Sequence, residues 1–331
     1  MTDTRTVYTA HDVPDLIATL PTLFGFAPSE SLVAIATHGE RRRFGFRLRV
    51  DIPDDLSNIE TLAAVVAGHL RRQGAEGAIL VAVTQRQDVA ELLLPAVEER
   101  FDDIEGIVSI RADGSRYWTT DPGFPVAGIA YETSDHHIAV VHAIAAGQQI
   151  LPDRQALVDR FGPVTGVRRT WLENATNAVL EGVVPLVANT EPGDLAAVGM
   201  RVVQPILDRG LAKERLTDDE LVRFFVWASG VSVRDEIWAQ IVRSNAERML
   251  GLLTLISRNV VPPFEPAVLS LAAFAAWLTG DGAQALIAVE RAMTADPDYS
   301  MAGLMLEMLE AGISPTCWTG FRSDDDRASE A

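Results

Sequence analysis

Residues 20–37, LPTLFGFAPSESLVAIAT, set prolines, a glycine and two serines between a helix-like run and a strand-like run. Upstream, Asp12 suits an N-cap and Pro14 falls in a first helical turn, where its missing N–H costs nothing, so residues 12–24 read as a helix. Pro21 should kink or split that helix, because its ring disrupts the bond to the preceding turn. Gly25 sits where a left-handed C′ residue belongs, with Phe26 able to fold back on Leu20 or Pro21. Ser31 to Thr37 is continuously apolar, as in a strand covered on both faces. Every unusual residue of the stretch therefore has a backbone role in turning a corner. Ser29 and Ser31 could also form the polar rim of a site if the neighbouring strand brings arginines within reach.

That neighbour is residues 43–52, where Phe44, Phe46, Leu48, Val50 and Ile52 alternate with Arg43, Gly45, Arg47, Arg49 and Asp51. With His38-Gly39-Glu40 as the turn, the two strands make an antiparallel hairpin. A helix follows, with a capping-box pattern at Ser57 and Glu60, one apolar face of Ile59, Leu62, Val66 and Leu70, and a stop at Gly74. Ala78 to Thr84 is a second buried strand, so strand, helix and strand imply a parallel pair with a right-handed crossover. Residues 87–101 read as a helix containing Pro95, and residues 107–111 with 116–120 as a second hairpin around Asp113-Gly114. Helices at about 135–146, capped by Ser134, and near 153–161 close an α/β domain over 1–162, with a mixed sheet of about five strands and helices.

Past Phe161-Gly162-Pro163 helix starts take over: Thr217 with Glu220, Ser232 with Asp235, and Ser244 with Glu247 all have cap spacing. An all-α domain is expected over 166–320, followed by a disordered acidic tail over 321–331 that contains Asp324-Asp325-Asp326. Within that domain GDGAQALIAVERAMTADP, residues 280–297, resembles the second helix of a tetratricopeptide repeat, with Ala285, Val289, Ala292 and Pro297 at matching positions. LSLAAFAAWLTG before it would be the first helix. Only one such unit is visible, whereas a solenoid needs about three, so a helical hairpin docked on the other helices is expected.

Composition bounds the function. The chain of 331 residues carries 28 basic and 46 acidic side chains, a net charge of -18, which argues against nucleic acid and anionic membranes. Cys317 is the sole cysteine, which excludes an intramolecular disulfide and any CxxC site. No apolar run is long enough to span a bilayer, and a cytoplasmic protein is expected. SDHHIAVVH, residues 134–142, is similar to the DHH motif of certain phosphoesterases, but their companion acidic motifs are not evident. On a helix His137 and His142 would lie about 140° apart and share no face, so no metal site is expected. GxSxG, SxxK, GxxxxGK[ST], GxGxxG and HExxH are absent, and neither a catalytic residue nor a cofactor is assigned.

The strongest local anomaly is RRRFGFRLR, residues 41–49, with five arginines and no acid. Arg43, Arg47 and Arg49 should project from one face of the hairpin, where guanidinium forks hold phosphate or carboxylate groups. The alternative is a solvated strand face whose charges deter aggregation. In VSVRDEIW, Arg234 and Asp235 are expected to form a structural ion pair that fixes two helices.

Together LPTLFGFAPSESLVAI, RRRFGFRLRVDIP, AAGQQILPDRQALVDRF, VRDEIW and AAFAAWLTGDGAQALIAVERAMTADPDYSMA resemble an actinobacterial family known as domain of unknown function 4192. The resemblance spans nearly the whole chain, implies a bacterial cytoplasmic protein, and brings no catalytic residues with it. Two functions follow as expectations. The first is a noncatalytic interaction or scaffold protein whose helical domain, including residues 266–311, binds a protein partner. The alternative is a ligand-binding or catalytic α/β domain that holds an anion with Arg43, Arg47 and Arg49, and with Ser29 and Ser31 at the rim.

Overall fold

A computed structural model describes residues 10–134 and 136–320, and these divide into two compact units between Ala156 and Leu157. The acidic tail expected over 321–331 and the helix start at Asp135 lie outside the described residues.

In the first unit α1 (Val13–Phe24) begins at Asp12, whose carboxylate accepts the Asp15 N–H at 2.8 Å. The helix runs through Pro21 without breaking and closes at Gly25, which takes the left-handed φ of 76° and donates its N–H to Pro21 O at 2.9 Å. Six strands follow in one sheet: β1 (Ser31–His38), β2 (Arg43–Asp51), β3 (Gly77–Val83), β4 (Glu105–Ala112), β5 (Arg116–Thr119) and the short β6 (Ile129–Ala130). Their spatial order is β2-β1-β3-β4-β5-β6, and only β3 and β4 pair parallel.

Helix α2 (Ile59–Arg72) leads from β2 to β3, and α3 (Gln87–Glu98) from β3 to β4. The first crossover differs from expectation. β2 and β3 run the same way, but β1 lies between them and pairs antiparallel with both; the adjacent parallel pair is the one joined by α3. One sheet face, with Leu32, Ala34, Leu80 and Ala82, packs on Val66 and Leu70 of α2 and Leu93 and Val97 of α3. The other, with Val33, Ile35, Val81 and Ile110, packs on Leu16, Ile17 and Leu20 of α1.

Two expected helix starts are also displaced. The carboxylate of Asp55, not a Ser57–Glu60 box, accepts the Ser57 N–H at 2.9 Å and opens a single 3-10 turn before α2, while Glu60 pairs with Arg100. Helix α4 (Ile138–Ala145) starts at His137 rather than at Ser134.

Helix α5 (Arg154–Phe161) spans the division between the units. The second unit continues with α6 (Gly166–Ala188), α7 (Leu195–Leu211), α8 (Asp218–Ala228), α9 (Val231–Ala239), α10 (Ala246–Asn259), α11 (Glu265–Leu278), α12 (Gly282–Ala295) and α13 (Ser300–Glu310). No strand occurs among its described residues. Its axis is α11, apolar around its circumference: all 13 residues from Pro266 to Leu278 are buried. Such a helix is stable in water only when covered on every side, and α8, α9, α10, α12 and α13 all pack on it.

Arg291 of α12 ties this core together, donating to Ser257 O at 2.8 Å and to Phe161 O, and pairing with Glu265 at 2.8 Å. The capping box at Thr217 and Glu220 forms as the spacing predicts. Ser232 instead lies inside α9, whose N-cap is Gly230, and Ser244 precedes the N-cap of α10, Asn245.

Asp218, in the first turn of α8, takes a bidentate hydrogen bond from Arg168 of α6 at 2.6 and 2.5 Å, and that bond holds its carboxyl below the ordinary range. A depressed folded-state pKa contributes stability above the unfolded value of about 4 and loses it as pH falls through the folded value. Urea midpoints measured at neutral pH and near pH 3 should therefore fall less steeply with acid in Asp218→Asn than in the parent; identical pH dependence would remove this pair from the account. Thr217→Ala should cost about 1 kcal/mol in the same assay, the usual worth of an N-cap.

Candidate functional site

The corner between α1 and β1 is held by two arginines from different strand ends. Glu30 adopts a left-handed φ of 41°, a conformation that a non-glycine residue keeps only when its surroundings hold it there. Its carboxylate accepts from Thr84 Oγ1 at 2.8 Å and Arg86 Nε at 3.0 Å. Arg86 also donates to Pro53 O and Ile52 O, while Ile52 N–H returns to Glu30 O at 3.0 Å.

On the other side of the corner Arg49 Nε donates to Ser31 Oγ at 2.8 Å. Its Nη2 donates to Ser29 O at 3.3 Å and pairs with Asp51 at 2.6 Å, and its guanidinium lies over the Phe26 ring. The Arg49 side chain is only 10% exposed, so its fork is spent on acceptors of the protein itself.

Ser29, Ser31 and Arg49 thus meet in a cluster whose donors and acceptors satisfy one another. The three arginines do not share a face. Directly paired residues of an antiparallel ladder point to the same side. Arg47 and Arg49 stand opposite Ile35 and Val33, on the side of α1, where Arg47 Nε donates to Leu23 O at 3.0 Å. Between Ile35 and Thr37 the register shifts by a bulge, which changes the phase of the alternation. Arg43, opposite His38, therefore lies on the other face. Glu30, Thr84 and Arg86 were not legible in the sequence, because they lie 54 and 56 positions apart and carry no local pattern.

His137, placed outside the helix, reaches Asp15 with Nε2 at 2.6 Å from Oδ1, and both side chains are largely buried. The contact anchors α4 to the first turn of α1. No group of three or more His, Cys, Asp or Glu poised for a metal ion occurs among the described residues.

In the helical unit Arg234 is buried and binds Asp235 Oδ1 through Nε and Nη2 at 2.9 and 2.7 Å. Asp235 is its neighbour on α9, so the ion pair does not itself join two helices. The link to α13 is the bond from Arg234 Nη1 to the hydroxyl of Tyr299, the N-cap of that helix, at 2.9 Å. Burial pulls the Arg234 pKa down, and the bonds to Tyr299 and Asp235 more than offset it, leaving a net rise.

At the end of the sheet opposite the corner, where β1 ends and β3 and β4 begin, lies a cleft of about 430 Å³ among Thr37, Glu40, Arg42, Glu76 and Glu105. Arg42 Nη2 donates to Glu105 at 2.7 Å and Gly39 N–H to Glu76 at 2.9 Å, so Glu105 and Glu76 are engaged within the protein.

A mixed sheet sandwiched by helices, followed by a helical unit with a fully buried axis, is the architecture on which these sites sit. Residues 14–316 match the family described as Domain of unknown function (DUF4192), and the chain belongs to that family. No curated protein and no solved structure matches it. No described helix is long and apolar enough to cross a membrane.

Arg49→Ala should lower the unfolding free energy by about 2 kcal/mol, the scale of charged hydrogen bonds removed from a covered site. Arg43→Ala, exposed on the opposite face, should change it by less than about 0.5 kcal/mol. Equal effects in urea titrations would contradict the division between the two positions.

Proposed function

We propose that the chain is a noncatalytic protein-interaction protein of the cytoplasm that works through its helical domain, with the α11–α12 pair as a tetratricopeptide-like internal scaffold. The observation that carries this reading is the second half of α6. After Val179 no residue of that helix is buried, yet residues 183–188 read VVPLVA, and Val184, Leu186 and Val187 are 59%, 45% and 38% exposed. A helix segment that is apolar on all sides belongs under cover, and a contiguous exposed apolar patch marks an interaction surface.

The α11–α12 hairpin is not itself the contact surface, since α11 has no exposed side. Its part is to hold the helices from which α6 projects. The partner is a protein that presents a complementary apolar surface to residues 183–188.

A photo-crosslinking side chain at position 186, in the full chain expressed in its native cell, tests this. A discrete protein adduct is expected from position 186 and none from position 177, an exposed polar site earlier on the same helix. Adducts absent at both positions, or equal at both, would overturn the proposal.

A further inference from the structure

Arg111, near the carboxyl end of β4, is 8% exposed. Its guanidinium lies 3.5 Å above the ring of Trp118, its partner across the β4–β5 ladder. Among the described residues no hydrogen-bond acceptor or carboxylate contacts it, in contrast to Arg49, Arg86, Arg234 and Arg291, each of which donates to acceptors of the protein. A charge taken out of water is costly unless it is paired, and burial indeed pushes the Arg111 pKa down, against the opposing pull of Asp113 and Glu91.

Those two carboxylates are committed elsewhere. Asp113 Oδ1 accepts from Ser115 N, Ser115 Oγ and Arg116 N in the β4–β5 turn, at 2.8, 2.9 and 2.7 Å. Glu91 accepts from Gln87 Nε2 at 2.6 Å.

The surroundings point the same way. Arg111 pairs with Ala82 across the parallel ladder, and Ser109, two residues earlier on the same face, bonds Glu98 of α3, so Arg111 stands on the α3 side of the sheet. The connection into α3 is fastened at this end, where Thr84 N–H donates to Ala112 O at 2.9 Å. Helix α3 then starts at Gln87 with no side chain capping its first turn. Ligands of α/β sheets bind outside the carboxyl ends of parallel strands, and free N–H groups at a helix start attract anions. The in-plane edge of the guanidinium, whose lower face Trp118 covers, meets no acceptor, and no side chain caps the first N–H groups of α3. Their complement is a group that only accepts and carries negative charge.

We propose that Arg111, oriented by Trp118 and assisted by the first turn of α3, binds a small oxyanion, the carboxylate or phosphate group of a ligand. With Glu91 and Asp113 in electrostatic reach, a singly charged group suits it better than a polyphosphate.

Thermal unfolding of the full chain, with chloride replaced by acetate or inorganic phosphate at constant ionic strength, tests the site. The parent should show a saturable rise in Tm with at least one of the two anions; a response to acetate alone identifies a carboxylate ligand, and to phosphate alone a phosphate ester. Arg111→Met should lose that rise and, in chloride, melt at or above the parent temperature, because it removes an unpaired buried charge. Arg111→Lys keeps the charge without the fork and should need at least tenfold more anion. No saturable response in the parent, an undiminished response in Arg111→Met, or an Arg111→Met chain that melts well below the parent or fails to fold would each overturn the proposal.

Discussion

Strand β1 has no free side, and most of the first unit follows from that. Its faces are covered by α1 and by α2 with α3, and its edges are taken by β2 and β3. A strand buried on both faces and paired on both edges must be entered through a tight corner, and backbone groups at that corner need partners that water cannot supply. Glu30 turns the chain in the left-handed region, and two guanidinium forks, Arg86 and Arg49, collect the acceptors on either side. Of the arginines that stand out in the sequence, Arg47 and Arg49 are therefore spent on the fold. Arg111, buried but without an acceptor, sits on β4, one strand beyond β3.

The same reasoning separates two apolar helices of the second unit. α11 is apolar around its whole circumference and is covered around its whole circumference. The end of α6 is just as apolar and lies open. Burial of apolar area is the main favourable term in folding and association alike, so a segment left uncovered by intramolecular packing is the natural place for an intermolecular contact. Net charge of -18 opposes indiscriminate association elsewhere on the surface.

Much of this architecture was legible in the residues. The continuous run at Ser31–Thr37 against the alternation at 43–52 marks a doubly buried strand beside a half-buried one, and the Thr217–Glu220 spacing marks a capping box that forms. What escaped has identifiable causes. The bulge opposite Ala36 leaves no signature in a strand whose polar and apolar residues alternate on both sides of it, so Arg43 seemed to share a face with Arg47 and Arg49. Ser57 resembled a cap because Asp55, two residues earlier, competes for the same role with a charged acceptor. Glu30 with Arg86, and Asp15 with His137, are 56 and 122 positions apart, so no local pattern announces either contact. Arg111 occupies an ordinary polar position of an alternating strand, and only the missing acceptor sets it apart.

The account rests on a division of labour among arginines, some spent on the fold and one held for a ligand. The most direct measurement is the ¹H–¹⁵N spectrum of the arginine side chains of the full chain, assigned by substitution at Arg49, Arg86 and Arg111 and recorded as acetate or phosphate is added. Slow solvent exchange and unmoved signals for Arg49 and Arg86, with a saturable shift confined to Arg111, are the predicted result. An Arg111 signal that stays fixed, or shifts that fall on Arg49 and Arg86 instead, would contradict it.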